Sequence, residues 1–136
     1  ELPGHRCQCG KNGCIETFLS GTGFAAHHNA QFGVSLEAHE IAEAAAAGDA
    51  DAETSLARYE DRMARALASV INLLDPDVIV LGGGMSNVER LYETVPKLWK
   101  AWVFSDHVTT RLVPPRFGDS SGVRGAAWLW PSGSEP

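Results

Sequence analysis

The sequence contains no run of lysine or arginine, and its 17 acidic side chains outnumber its 11 basic ones, so the 136-residue chain has a formal net charge of −6. Proteins that bind nucleic acid usually present a basic face to the phosphate backbone, and this charge therefore disfavours such a partner. Long apolar runs are also absent, and the N-terminus lacks the basic-then-apolar pattern of an export signal. We expect neither nucleic acid nor a membrane among its partners.

Cysteine is absent everywhere except in one short segment, which holds Cys7, Cys9 and Cys14. An odd number of thiols cannot all pair as disulfides, and Cys7 and Cys9 are too close in sequence for an unstrained bridge. The three can converge on one metal ion, because Gly10 and Gly13 tolerate the positive φ of a sharp turn. Thiolate ligands favour zinc, so the segment is predicted to hold a structural zinc ion.

The fourth zinc ligand is not evident from the sequence. His5 is the nearest candidate, but a histidine in a polar Pro-Gly-His-Arg loop is more often solvated than bound to metal, and zinc sites commonly gather a ligand from elsewhere. The alternative to a metal site is a chance cluster of three small, buried hydrophobic side chains. Metal-held thiols also indicate a reducing cytoplasm.

The spacing of apolar residues predicts a mixed α/β chain with a polar tail. In chain order the elements are a cysteine loop over 1–14, helices over 15–19, 24–29, 35–47 and 50–74, a strand over 78–81, a helix from about 87, a strand over 109–113, a closing helix over 122–130 and a tail over 131–136. Two strands are too few for a sheet covered by helices on both faces. Either the strands pair with strands of a missing segment or the chain makes a thin core of its own. Since an incomplete sheet exposes an apolar edge, we expect a partner, which is the missing lobe or a second copy.

A row of three glycines follows the first predicted strand. The strand, Val78 to Leu81, is apolar without alternation, which indicates burial on both faces. The glycines at 82–84 leave the backbone open at the carboxyl end of the strand, where open α/β sheets bind ligands. Ser86 and Glu89 have the spacing of a capping box, which predicts a helix start near Asn87 aimed at the same crevice. The alternative is a turn that needs glycine for packing alone.

Three segments resemble known signatures of one family. The pattern C-x-C-G-x-x-G-C-x-E from Cys7 to Glu16 resembles the signature of ROK-family sugar kinases and repressors. Residues 75–84 resemble that family's second signature, and residues 118–127 resemble its closing helix. The stretch 14–25 and the tryptophans near 128–130 look closest to the bacterial fructokinase branch.

The resemblance implies a fold and a division of the chain. It implies an actin-like, ribonuclease-H-like kinase of two lobes, in which sugar and ATP meet in the cleft. This chain would be part of the C-terminal lobe, with an inserted zinc-binding loop over 1–16, the helices and the nucleotide-side strand-turn-helix over 17–130, and the tail over 131–136. The N-terminal lobe is expected to be missing.

The resemblance also assigns roles to individual residues. Glu16 matches a carboxylate that binds sugar hydroxyls, and a charged acceptor makes strong hydrogen bonds to hydroxyl donors. Gly82, Gly83 and Gly84 match the adenosine-side turn of the ATP site. The three cysteines would bind zinc together with a histidine further upstream. The phosphate-binding element and the catalytic aspartate of the family have no match, so we expect the isolated chain to be inactive.

The function implied for the complete protein is ATP-dependent phosphorylation of a hexose, at O6 of fructose or a related sugar, with Mg²⁺ neutralising the transferring phosphoryl group. Homodimerisation is also implied. One alternative is a sugar-responsive ROK repressor, whose helix-turn-helix would precede this region. Another is a zinc-ribbon module unrelated to sugars, which explains the cysteines but not the glycine turn or the closing helix.

Overall fold

A computed structural model describes residues 3–129 of the chain, so the predicted tail at 131–136 and Trp130 lie outside the described residues. Within this range the chain is mixed α/β, as predicted. The helices are α1 (Glu16–Leu19), α2 (Gly21–Phe32), α3 (Ala38–Ala46), α4 (Ala50–Leu74), α5 (Arg90–Leu98) and α6 (Ser121–Ala127). The strands are β1 (Val78–Val80) and β2 (Arg111–Val113), and 3₁₀ helices cover Gly84–Asn87 and Trp99–Ala101.

Helix α4 is the longest element, and its bounds match the prediction. Its N-terminus is capped by Asp49, whose side chain accepts hydrogen bonds from the backbone N–H groups of Asp51 and Ala52. It ends at Leu74, and Asp75 caps it in the left-handed region, with φ +43°, directly before Pro76, which disfavours continuation of the helix. The helix therefore starts and stops on local sequence signals.

The core forms where α2, α3 and α5 pack against α4. Its buried apolar side chains are Phe24, Ile41, Ala45, Ala52, Leu56, Tyr59, Met63, Ala64, Ala68, Ile71, Met85, Leu91, Val95, Trp99 and Leu112. The spacing of apolar residues along α4 and α5 would also place Val70, Leu74, Leu98 and Trp102 inward, but all four are exposed. Their apolar stripes continue beyond the point where another described element covers them.

The two strands pair in parallel, with Ile79 opposite Leu112. Both are shorter than the predicted strands at 78–81 and 109–113, although Leu81 still donates a backbone hydrogen bond to Val113. The expected burial of β1 on both faces is not met within residues 3–129, where Val78 and Val80 are exposed. Parallel pairing brings the carboxyl ends of both strands to one edge.

The predicted capping box at Ser86 and Glu89 is wrong. A 3₁₀ helix occupies Gly84–Asn87, and α5 begins only at Arg90, without a side-chain cap. The Ser86 hydroxyl instead donates to the carbonyl of Gly83, at 2.7 Å. The serine reaches back toward the glycine turn because the tighter 3₁₀ segment brings a residue close to the carbonyl three positions earlier. The nucleotide-side unit is thus a strand, a turn, a 3₁₀ helix and then a helix.

Other helix bounds also differ from the predictions. Helix α2 starts at Gly21, because Ser20 caps it by accepting from the Gly23 N–H, so the glycines belong to the helix. Helix α3 starts three residues after Ser35, where Glu37 and Glu40 form the capping box. Helix α6 starts at Ser121 and ends at Ala127. Among the helices of residues 3–129, none combines the length and the apolar character needed to cross a bilayer.

Candidate functional site: the cysteine loop and the glycine turn

The backbone of the cysteine loop folds back on itself. Arg6 and Asn12 form an antiparallel bridge, and the Cys7 N–H donates to the carbonyl of Lys11 at 2.7 Å. Gly10 and Gly13 have φ of +85° and +69°, which confirms the prediction that both take the left-handed region. The two turns bring residues from both ends of the loop together.

The thiols of Cys7, Cys9 and Cys14 converge, with their sulfur atoms within 4.8 Å of one another. The Sγ atoms of Cys9 and Cys14 are 3.5 Å apart. Tetrahedral zinc with Zn–S bonds of about 2.3 Å separates two sulfur ligands by roughly 3.8 Å, so small side-chain shifts suffice for these sulfurs to share one ion. The loop thus presents three soft ligands of suitable spacing.

Hydrogen bonding divides the thiols by acidity. A hydrogen bond from the Lys11 backbone, with others from Cys14 and Cys7, lowers the pKa of Cys9. The pKa of Cys14 is raised to about 11, chiefly because it shares a hydrogen bond with Cys9. Cys9 is therefore the thiol of this pair that ionises first, and a metal cation would favour the thiolate form of all three.

His5 does not join the thiol cluster. Among residues 3–129 the potential metal-ligand group comprises the three cysteines alone. The His5 ring packs edge-on against the ring of His27, with the centroids 4.3 Å apart, and its carbonyl accepts from the Gly13 N–H. The prediction of a fourth ligand from outside this segment remains a prediction.

Glu16 is the first residue of α1, two positions after Cys14, and its side chain is exposed. The loop and this helix are joined by the Thr17 hydroxyl, which donates to the Cys14 carbonyl at 2.7 Å. The far end of α1 is held by the buried Tyr59, whose hydroxyl donates to the Leu19 carbonyl at 2.9 Å. Glu16 thus stands on a one-turn helix that is attached at both ends.

Close backbone packing holds α1 against α2. A Cβ atom at Gly23 would lie 2.5 Å from the carbonyl oxygen of Thr17, which only glycine avoids. Ser20, between the two helices, donates through its hydroxyl to the Glu16 carbonyl at 2.7 Å. The orientation of Glu16 therefore depends on the packing of α2 as well as on the cysteine loop.

The glycine turn lies at the carboxyl end of β1. Gly83 has φ +74°, and its carbonyl accepts from both the N–H and the hydroxyl of Ser86. Among the described residues, nothing lies within 4 Å of a Cβ atom built at Gly82 or Gly84. The same holds for Gly83, so all three glycines of the turn are open to their surroundings, and Gly83 differs only in its positive φ.

A groove of about 1210 Å³ begins at this turn. Gly84 and Asn87 line one side of it, and Glu37 and His39 at the start of α3 line another. The residues that line it include neither Glu16 nor the cysteines. Residues 3–129 thus contain two separate candidate regions, the cysteine loop with Glu16 and the glycine turn with its groove.

Arg90 lies at the border of the groove and forms a forked ion pair with two glutamates of α4. Its Nε donates to Glu60 at 2.8 Å and its Nη2 donates to Glu53 at 2.7 Å. Glu60 is almost completely buried, whereas Glu53 and Arg90 are partly exposed. The hydrogen bond from Arg90 lowers the pKa of Glu53, and both carboxylates raise the pKa of Arg90. This contact joins α5 to α4.

The ROK family model matches residues 2–132, which contain both candidate regions. The chain belongs to the ROK family. This confirms the resemblance seen in the C-x-C-G-x-x-G-C-x-E segment and in the glycine turn. Membership supports the actin-like ATPase fold expected from the sequence, because ROK structures match the described fold closely.

Named ROK relatives include kinases and a regulator. An N-acetyl-D-glucosamine kinase from Yersinia pseudotuberculosis is 38% identical over 129 residues, which are 95% of this chain and 42% of that protein. A Streptomyces griseus ROK glucokinase, solved with glucose and AMPPNP, is 26% identical with a TM-score of 0.80, over 93% of this chain and 47% of that one. A ROK transcriptional regulator, homologous to the E. coli MLC protein, is 26% identical with a TM-score of 0.77, over 95% of this chain and 36% of that one.

This chain therefore spans less than half the length of each of these ROK proteins. None of the three is named a fructokinase, so the predicted branch is not confirmed. The two kinases support the more general prediction of a sugar kinase.

Sequence reasoning missed the contacts that join distant segments. The forked pair of Arg90 was not predicted, although Glu60 was a visible signal, since a glutamate beside Tyr59 and Met63 in an apolar stripe requires a partner. The contact between Asn87 and Asp119 was also missed, and no local pattern in either segment indicates it.

Proposed function

We propose that the complete protein is an ATP-dependent hexose kinase, which transfers a phosphoryl group to O6 of fructose or a related sugar. The observation that carries the proposal is the juxtaposition of an open glycine turn and a large groove at the carboxyl ends of two parallel strands, in a chain of the ROK family. The chain would supply part of the C-terminal lobe.

On the nucleotide side, Gly82, Gly83 and Gly84 bind the adenosine portion of ATP. The open space around Gly82 and Gly84 supports this role, because a flat ligand can approach the backbone there. The AMPPNP bound to the Streptomyces griseus relative supports ATP as the nucleotide. Mg²⁺ bound with ATP would neutralise charge on the transferring phosphoryl group.

On the sugar side, Glu16 accepts hydrogen bonds from hexose hydroxyl groups. Its exposure and its position on a one-turn helix held at both ends support this role, because a preorganised acceptor loses little freedom on binding. The general base that takes the hydroxyl proton is an aspartate from outside this chain. One carboxylate would then orient the sugar, and the other would accept its proton.

Cys7, Cys9 and Cys14 would hold a structural zinc ion, with a histidine from elsewhere in the complete protein as the fourth ligand. The sulfur spacing supports this, since one tetrahedral ion fits all three. Zinc supplies no chemistry to the reaction and only stiffens the loop. That stiffness reaches Glu16 through the hydrogen bond between Thr17 and the Cys14 carbonyl. Reduced thiols fit a cytoplasmic location.

The substrate is tested by offering the complete protein ATP with fructose, glucose, mannose and N-acetylglucosamine, and by assigning the phosphorylated hydroxyl by NMR. We expect the highest kcat/KM for fructose and a 6-phosphate product. A preference for N-acetylglucosamine, the sugar named in the Yersinia relative, would contradict the fructokinase branch and retain the kinase. Absence of phosphorylated product with every sugar would contradict both.

The zinc loop is tested by metal analysis of the complete protein. We expect one zinc per chain, its loss in Cys14→Ala, and a rise of the hexose KM of about tenfold on its removal, as expected when ligand or supporting contacts of a metal site are lost. Thr54→Ala, which changes an exposed hydroxyl on α4, should keep its zinc. An unchanged hexose KM after complete zinc removal would contradict the role of the loop.

A ROK repressor is the second candidate, because the transcriptional regulator matches 95% of this chain. The two candidates share the zinc loop and differ in the residues that precede Glu1. A phosphate-binding Asp-x-Gly-x-Thr segment there would favour the kinase, and a helix-turn-helix would favour the repressor.

A further inference from the structure

The loop that follows β2 contacts the glycine turn at two points, and both contacts come from Asp119. The Asp119 carbonyl accepts from the Gly83 N–H at 3.2 Å. Its carboxylate Oδ2 accepts from the Asn87 side-chain amide at 3.0 Å. One residue thus bridges the middle of the turn and the end of the 3₁₀ helix that follows it.

The glycine turn depends on such contacts for its shape. Gly83 has φ +74° and ψ 179°, a conformation that is essentially restricted to glycine and that persists only where neighbouring groups hold it. Ser86 holds the carbonyl side of this residue, and Asp119 holds its N–H. The Tyr92 hydroxyl ties the 3₁₀ helix to α5 by donating to the Ser86 carbonyl, at 2.7 Å. Asp119 provides the corresponding tie to the β2 side.

The Asp119 carboxylate is suited to this contact. Its Oδ1 accepts from the Ser120 hydroxyl at 3.0 Å while Oδ2 accepts from Asn87, so both oxygens are engaged. These hydrogen bonds lower the pKa of Asp119, and it is therefore ionised at neutral pH. Asp119 also lines the groove, together with Gly84 and Asn87. Removing the Asp119 side chain would therefore free Asn87 where the groove meets the turn, whereas the main-chain contact to Gly83 would remain.

We propose that Asp119 is a positioning residue for the nucleotide: through Gly83 and Asn87 it holds the glycine turn in the open conformation that receives adenosine. The inference rests on the proposed function, because it takes the groove to be the nucleotide site. Asp119 acts through the turn, and Asn87 is its partner in that action. The two residues should therefore behave as a coupled pair.

The test compares Asp119→Ala, Asn87→Ala and the double variant in the complete protein. For Asp119→Ala we expect the KM for ATP and the calorimetric Kd for AMPPNP to rise about tenfold, the loss associated with a hydrogen bond to a charged group. The kcat and the hexose KM should stay within about twofold, since the turn acts in binding rather than in chemistry. The double variant should be no weaker than Asp119→Ala.

The matched control is Asp106→Ala, which removes an exposed aspartate from the loop before β2 and should leave nucleotide binding unchanged. If Asp119→Ala does not fold, Asp119→Asn and Asn87→Ala replace it, and we expect smaller rises in the Kd for AMPPNP. Additive effects in the double variant, or an unchanged Kd in Asp119→Ala, would overturn the inference. If the wild-type protein itself bound no adenine nucleotide, the proposed function would have failed first.

Discussion

Arg90 illustrates how much of this structure depends on single polar residues. Its guanidinium group is the partner of the buried Glu60 carboxylate and of Glu53, so removing it leaves a carboxylate in the interior without its counter-charge. Burying an unpaired charge costs much more free energy than an exposed ion pair contributes to stability. The packing of α5 against α4 therefore depends on the forked ion pair of Arg90.

We expect Arg90→Met to lower the free energy of unfolding of the complete protein by about 3–5 kcal/mol, measured by urea denaturation. Glu60→Gln in the same background should recover part of the loss, because a neutral amide is less costly to bury than a carboxylate. Arg58→Met, which removes an exposed hydrogen bond to Gln31, should change the value by only about 0.5 kcal/mol. Equal losses in both arginine variants would contradict the assignment.

The lowered pKa of Glu53 predicts that the free energy of unfolding depends on pH in the acidic range. Its pKa is lowered in the folded state, mainly by the hydrogen bond from Arg90, below its ordinary value of 4.5. A lowered carboxyl pKa contributes stability above the unfolded-state value, and this contribution is lost as the pH falls through the folded-state value. The difference in unfolding free energy between wild type and Glu53→Gln should be constant from about pH 7 to 5.5 and shrink below about 4.5. A difference that grows in acid would contradict this.

At the scale of elements, the strand, glycine turn and 3₁₀ helix form one unit whose three glycines differ. Among the described residues all three face open space, but only Gly83 of the three has a positive φ. Backbone strain and ligand access can therefore be separated by comparing substitutions within the same turn.

We expect Gly83→Ala to lower the unfolding free energy by about 1–3 kcal/mol, because alanine is strained at φ +74°. Gly82→Ala should cost about 0.5 kcal/mol or less and still raise the KM for ATP, because its methyl group occupies space proposed for adenosine. Thermal unfolding and ATP kinetics of the two variants check this. Unchanged stability of Gly83→Ala would contradict the backbone strain at Gly83, and a normal KM for ATP in Gly82→Ala would contradict the proposed contact with adenosine.

The cysteine loop and α4 were predictable from sequence because their determinants are local. Gly10 and Gly13 set the turns that bring the thiols together, and Asp49 and Pro76 delimit the long helix. The predicted capping box at Ser86 was wrong because contacts with α5 stabilise a 3₁₀ helix at this position. One of them is the hydrogen bond from the Tyr92 hydroxyl to the Ser86 carbonyl.

The contacts around the groove were not predictable in the same way. Asp119 and Asn87 are 32 residues apart, and Glu53 and Arg90 are 37 apart. Only the packed fold brings such pairs together, so a single sequence carries almost no sign of them.

At the scale of the whole molecule, apolar side chains are exposed at the end of α4 and on β1, whose other edge pairs with no strand among the described residues. Val78 and Val80 on β1 and Leu73 and Leu74 at the end of α4 are exposed, although β1 is too apolar for a solvated strand. Exposed apolar strands tend to associate with another surface. We propose that further strands of the complete protein, or a second copy of the chain, cover this edge.

The chain on its own should therefore run as a dimer or larger species in size-exclusion chromatography with light scattering. Val80→Lys should reduce this association, because a charge on the exposed strand opposes pairing. Val34→Lys, on the exposed segment between α2 and α3, serves as the matched control and should have no effect. A compact, rigid monomer for the unmodified chain would contradict the account of an incomplete sheet.

The most direct test of the central claim is hexose-dependent formation of ADP, measured for the complete protein and for residues 1–136 alone. We expect saturable, fructose-dependent ADP formation by the complete protein and none by the chain alone. The Glu16→Gln variant of the complete protein should have a much higher fructose KM and an unchanged KM for ATP. A complete protein that forms no ADP with any hexose, or a Glu16→Gln variant with a normal fructose KM, would contradict the central claim.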